Sequence, residues 1–141
     1  MIWKHQPAIE GMNAMSAGTL NEALGIEFTE FGPDYLKARM PVDSRTVQPF
    51  RILHGGASGA LAETLGSVAS VLCVEDPTKT SCVGIELSCS HLRSAREGTY
   101  VTGTVRPFRI GNKIQVWNIE IHDDKARLVC ISRLTIAVVQ R

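Results

Sequence analysis

A chain of 141 residues is the usual size of one domain built on one core, and nothing from residue 1 to 141 reads as a repeat or a linker. Its 44% hydrophobic and 21% charged content fits a folded globular protein and excludes a disordered one. A net charge of +1 without a basic reading element argues against a nucleic-acid partner. The start, MIWKHQPAIEG, lacks the basic-then-apolar layout of an export signal, so a cytoplasmic protein is expected. Four cysteines, Cys73, Cys82, Cys89 and Cys130, show neither Cys-x-x-Cys spacing nor nearby His pairs. They read as small core residues in a reducing compartment, with no metal site.

In chain order, Ile9–Leu24 holds helix-compatible stretches, with Thr19 or Asn21 as a cap before NEAL and Gly25 as a stop. A strand follows at Ile26–Phe31. Gly32-Pro33-Asp34 then turns the chain into YLKARMP, whose alternation places Leu36, Ala38 and Met40 on one face, so the two strands form a hairpin. Val42–Leu53 is polar and irregular, and the paired glycines of LHGG predict no regular element there. From Ala57 to Val74, Ala60, Leu61, Leu65, Val68, Ala69 and Leu72 recur at helical spacing. This helix is apolar nearly all round, which predicts burial. His54, Ser58, Glu63, Thr64, Ser67 and Ser70 interrupt the run too often for a membrane span. Four strands should follow, at Ser81–Ser90, Thr99–Pro107, Lys113–His122 and Arg127–Val139, read as an antiparallel meander. A sheet curled around a central helix buries both apolar surfaces.

One residue in the long helix stands apart. From Ile52 to Val74, Glu63 is the only formally charged side chain, and a carboxylate buried without partners is costly. Such a group calls for a polar cavity, a shifted proton affinity, or both. Ser67 lies one turn further along the same face. Ahead of the helix, Gly55 and Gly56 stand where unpaired N–H groups and the positive end of the helix dipole converge. Cations gather elsewhere, with Arg93 and Arg96 around HLRS and Arg106, Arg109 and Lys113 around PFRIGNK. They suit an anionic ligand.

The stretches MIWK, MPVDSRTVQPF, LHGGASGALAETLGS, HLRSAREG and IGNKIQVW resemble the hotdog-fold acyl-CoA thioesterases of the PaaI-like group, and the likeness reaches the last strand. It implies an α+β hotdog fold, with an antiparallel sheet wrapped around a long central helix. It implies hydrolysis of acyl-CoA thioesters, aromatic ones foremost, to the free acid and CoA, with no cofactor because CoA is part of the substrate. A thioester on an acyl carrier protein is the alternative substrate. By resemblance, Glu63 is the nucleophile or the general base, the Gly55 amide polarises the thioester carbonyl, Gln48 and His54 line the site, and Ser67 holds water or orients the carboxylate. The CoA portion is implied to lie against Gly84, against His91, Leu92, Arg93 and Ser94, and against Arg109, Ile110, Gly111, Asn112, Lys113 and Ile114. The same resemblance implies a homodimer that joins into a homotetramer, with Gln48, His54 and Gly55 of one chain meeting Glu63 and Ser67 of the other. The chain departs from its relatives at Ser88 and Cys89, where they carry asparagine and alanine, and at Arg51, where they carry glycine.

Other readings fit less well. A serine hydrolase built on Gly56-Ala57-Ser58 lacks the glycine needed two residues after the serine, where Ala60 stands. A dehydratase pairing His54 with Glu63 stays formally open. A non-catalytic acyl-CoA sensor on the same fold would normally carry an added DNA-binding segment, and none is read here.

Overall fold

The structure is a computed structural model that describes residues 1–141. Two short helices open the chain, α1 at Ile9–Ala14 and α2 at Leu20–Leu24. Thr19 caps α2 by accepting from the Asn21 N–H, and Gly25 ends it in the left-handed conformation at φ 72°, both as the sequence implies. Strands β1 (Glu27–Phe31) and β2 (Leu36–Val42) form the expected hairpin. Leu36, Ala38 and Met40 are fully buried.

The long helix α3 runs from Gly55 to Leu72, two residues earlier at both ends than its apolar spacing suggests. The paired glycines lie inside its first turn, not in an irregular loop. In a first turn the N–H groups need no helical partner, and the His54 side chain caps the end by accepting from Gly56 N at 2.8 Å. Its buried face includes Leu61, Ala62, Leu65 and Ala69. Close packing on the sheet depends on Gly66, where a Cβ would stand 2.5 Å from Leu134 Cδ2. At the fully buried far side, Trp117 donates its indole N–H to Ser70 Oγ at 2.7 Å and ties α3 to the sheet.

Strands β3 (Thr80–His91), β4 (Thr99–Ile110), β5 (Ile114–Asp123) and β6 (Leu128–Gln140) match the four expected strands. Their order corrects the expected meander. The six-stranded antiparallel sheet runs β1-β2-β4-β5-β6-β3, so of these four strands only β4, β5 and β6 are sequential neighbours. Strand β4 pairs with β2, and β3 lies beyond β6 as an edge strand bonded on one side only. Local alternation fixes which face of a strand is apolar but not which strand it pairs with. The sheet curls around α3 over one core that takes in Leu36, Leu61, Leu65, Trp117, Ile119 and Leu134.

All four cysteines are free; Cys73 and Cys130 are buried as expected, whereas Cys82 and Cys89 on the edge strand are only half-buried. No helix is long and apolar enough to cross a membrane.

Candidate active site

The loop before α3 is shaped by a tight turn. Gln48 N donates to Ile52 O, and Arg51 N donates to Gln48 O, both at 2.9 Å. Arg51 completes the turn with φ at 63°, in the left-handed region that favours glycine, which accounts for the glycine implied at this position. Its guanidinium grips Glu97 with two 2.6 Å bonds, and these hold the Glu97 carboxyl below its ordinary range. The Gln48 side-chain oxygen accepts from Phe50 N. That leaves the Gln48 amide N–H₂ free to donate into the site.

Two N–H groups decide what the helix start can do. Gly56 N is spent on His54 Nδ1. Gly55 N has no partner in the backbone or side-chain network, although it stands at the positive end of an 18-residue helix. Because Nδ1 of His54 accepts, the neutral ring carries its proton on Nε2 and can donate there. His54 is therefore arranged as a donor to an oxygen and not as a base, which weighs against the dehydratase arrangement. His91 closes over this end, since a Cβ at Gly55 would stand 3.0 Å from its Nε2. Gln48, Gly55, Ser58, His91, Arg93 and Ser94 line one cavity of about 380 Å³, with Leu92 beside them.

Glu63 occupies a different cavity. Eight residues further along α3, roughly 12 Å at 1.5 Å per residue, it shares about 360 Å³ with Ser67, Gly84, Leu20, Asn21 and Val68. The expected burial of this carboxylate is not met within the subunit, where Glu63 is exposed. The reason lies in the helix: α3 buries one face on the sheet and leaves the stripe through Ala60, Glu63 and Ser67 uncovered. Gly84 makes room for the carboxylate, because a Cβ there would lie 2.7 Å from Glu63 Oε1.

The expected CoA segments also separate. His91–Ser94 flank the N-terminal end of α3. The β4–β5 turn, with Ile110, Gly111 and Asn112 on a cavity of about 640 Å³, lies near Cys73 just beyond its C-terminal end. Arg109, Lys113 and Ile114 belong to this turn and its flanks. An 18-residue helix is about 27 Å long, so one subunit does not bring the two segments together.

Two side chains escape a reading of the sequence. Leu20 is 61% exposed and lines both the Glu63 cavity and the one holding His54. Asn21 accepts from Thr64 Oγ1 at 2.8 Å and fixes α2 against α3. The exposed apolar residue opening the NEAL helix is the available signal. The thiols are unsuited to attack, since burial pushes Cys73 up to about 12 and also raises Cys82 and Cys130. Of the two departures on β3, Cys89 packs behind α3, where a Cβ at Gly59 would meet its Sγ at 3.9 Å, while Ser88 is exposed.

The thioesterase superfamily model matches residues 50–130, which include the end of the loop, all of α3 and strands β3, β4 and β5. The chain belongs to the thioesterase superfamily. This thioesterase is similar to the 1,4-dihydroxy-2-naphthoyl-CoA hydrolase of Escherichia coli (strain K12), at 53% identity over 138 residues, 98% of this chain and 99% of that one. The proofreading thioesterase EntH of Cronobacter turicensis is 51% identical over 138 residues, 98% of each chain. Among solved structures, a mutant of thioesterase PA1618 from Pseudomonas aeruginosa superposes with a TM-score of 0.96 at 45% identity, covering 100% of both chains. The fold is thus the hotdog fold, and the protein is a thioester hydrolase.

Proposed function

We propose that the protein hydrolyses aromatic acyl-CoA thioesters at a site completed by two subunits. The observation that carries this reading is the separation along α3: the free Gly55 N–H and the Glu63 carboxylate face different cavities about 12 Å apart, too far to act on one carbonyl. Edge strand β3 offers the means of joining them. Its outer side has unpaired backbone groups, and Val83 and Ile85 on it are 48% and 58% exposed. A second copy paired there by a two-fold axis would bring Glu63 and Ser67 of the partner subunit toward Gln48, His54 and Gly55. Pairs of such dimers would form the tetramer that the family resemblance implies.

In that site the thioester carbonyl accepts from Gly55 N–H, which stabilises the oxyanion as it forms. Within one subunit His54 lines a separate cavity with Leu20 and Gly56, and its Nε2–H is the second donor to that oxygen only if the completed site joins the two. The carboxylate either takes a proton from water that then adds to the carbonyl, or adds to the carbonyl itself to give an acyl anhydride that water then hydrolyses to the free acid, restoring the carboxylate. In both routes the C–S bond breaks and CoA leaves as the thiol. Gln48 and Ser67 position the attacking oxygen. The E. coli relative's name supports an aromatic acyl group, and the name EntH supports a carrier-bound thioester as a second substrate.

The test is Glu63→Gln, assayed on benzoyl-CoA by thiol release. A kcat lowered roughly 10²- to 10⁴-fold with KM retained is expected for loss of the carboxylate. Activity within a few-fold of the native enzyme would remove Glu63 from the reaction.

A further inference from the structure

Pro49, Phe50 and Arg51 join two short antiparallel arms, bridged at Val47 and Leu53 and bonded from Gln48 N to Ile52 O. This small hairpin carries Gln48 on its first arm. Its second arm runs through Leu53 straight into His54 and Gly55 at the head of α3. Whatever fixes the hairpin therefore fixes Gln48 and the helix start together.

The hairpin has a weak point. A three-residue loop of this kind closes on a residue in the left-handed conformation, where glycine is favoured because a Cβ opposes that backbone. Arg51 stands there, at φ 63°. Such uphill backbone persists only where the surroundings hold it.

Glu97 supplies the hold, and does so twice. Its N–H donates to Arg51 O at 3.3 Å, and its carboxylate accepts from Nε and Nη2 of the same arginine at 2.6 Å each. The segment that carries Glu97 is itself fixed to the hairpin, by Leu53 N donating to Ala95 O at 2.8 Å and by the Ile52–Arg96 bridge. Ala95 is buried. An exposed ion pair ordinarily adds little, because ordering two free side chains offsets the attraction. Here the geometry is bidentate and the two backbones are already joined, so less freedom is lost. Arg51 lines neither the Gly55 cavity nor the Glu63 cavity, which leaves its guanidinium no part in either except through the turn.

We propose that Arg51 and Glu97 are a positioning pair for thioester hydrolysis: their clasp holds a turn that the arginine's own backbone preference opposes, and so keeps Gln48 and the start of α3 in their working places. Neither side chain touches the substrate. The role of the pair rests on the hydrolase reading above, which gives Gln48 and Gly55 their parts.

The test separates the guanidinium from the backbone. R51A and R51G both remove the clasp, but only alanine keeps a Cβ that opposes the left-handed turn. On benzoyl-CoA, R51A is expected to lose roughly five- to tenfold in kcat with KM kept within twofold, while R51G stays within about twofold of the native enzyme in both. R51N should fall between them, because asparagine tolerates this backbone better than alanine. E97Q should cost about as much as R51A in the native background and nothing in the R51G background, where no strain remains to be held. Amide exchange over residues 47–55, read by mass spectrometry, should quicken in R51A and E97Q and match the native rate in R51G. An R51A enzyme with native kcat overturns the pair. So does an R51G enzyme as impaired as R51A, which would put the guanidinium itself on the substrate, or an E97Q loss that persists beside R51G. Gln48→Ala with native activity would count against the reading of the site instead, while the exchange rates would still decide whether the clasp holds the turn.

Discussion

At the scale of single residues, the site depends on what is left free to react. The His54 side chain does two jobs with two nitrogens, capping α3 through Nδ1 and offering a donor at Nε2. These can be separated. His54→Ser keeps a capping oxygen and removes the ring, so unfolding free energy should stay within about 0.5 kcal/mol, since serine is a good cap. The same variant should lose roughly 10²-fold in kcat, as expected for one donor to an oxyanion. Urea unfolding and steady-state kinetics on one preparation check both, and a stable, fully active variant would mean the ring does not touch the carbonyl. Gly84 tests the other half. An added Cβ 2.7 Å from Glu63 Oε1 meets the movable end of a flexible side chain, so Gly84→Ala should fold normally. It should still displace the carboxylate by enough to cost roughly 10- to 100-fold in kcat. Unchanged kinetics with an unchanged melting temperature would show that the carboxylate position is not critical.

Among the elements, what is legible in the sequence is local, and what is not is long-range. Period-two alternation in β5 assigns Trp117, Ile119 and Ile121 to one face, and all three are fully buried. Helical spacing finds α3, and its start is misplaced only because two glycines look like a loop when the His54 cap is not considered. The placement of β3 beyond β6 is not legible, because no residue of β3 records its partner. Glu63 is found by its isolation in sequence, yet its exposure on one subunit follows from the same missing information. Leu20, which touches both cavities, goes unread because α2 is too short to show a face. The bond from Trp117 to Ser70 shows how the core fixes α3 against the sheet. Ser70→Ala leaves a buried indole N–H without an acceptor and should lower stability by about 1–3 kcal/mol, measured by urea unfolding. A loss under about 0.3 kcal/mol would mean that the bond adds nothing to the seating of the helix.

For the whole molecule, the halves of one chemistry lie in separate cavities of one subunit, and an edge strand with exposed apolar residues is available to join two copies. Catalytic competence should therefore belong to the pair and not to the chain. Co-expression of Gln48→Ala and Glu63→Ala subunits tests this most directly. A mixed dimer would hold one site with both lesions and one with neither, because a two-fold axis repeats each contact reciprocally. With random pairing about half the dimers are mixed and half their sites are intact, so roughly a quarter of native activity should return from two nearly inactive parents. Mixed dimers, verified by differential tags, that are no more active than either parent would contradict the shared site and place the reaction within a single chain.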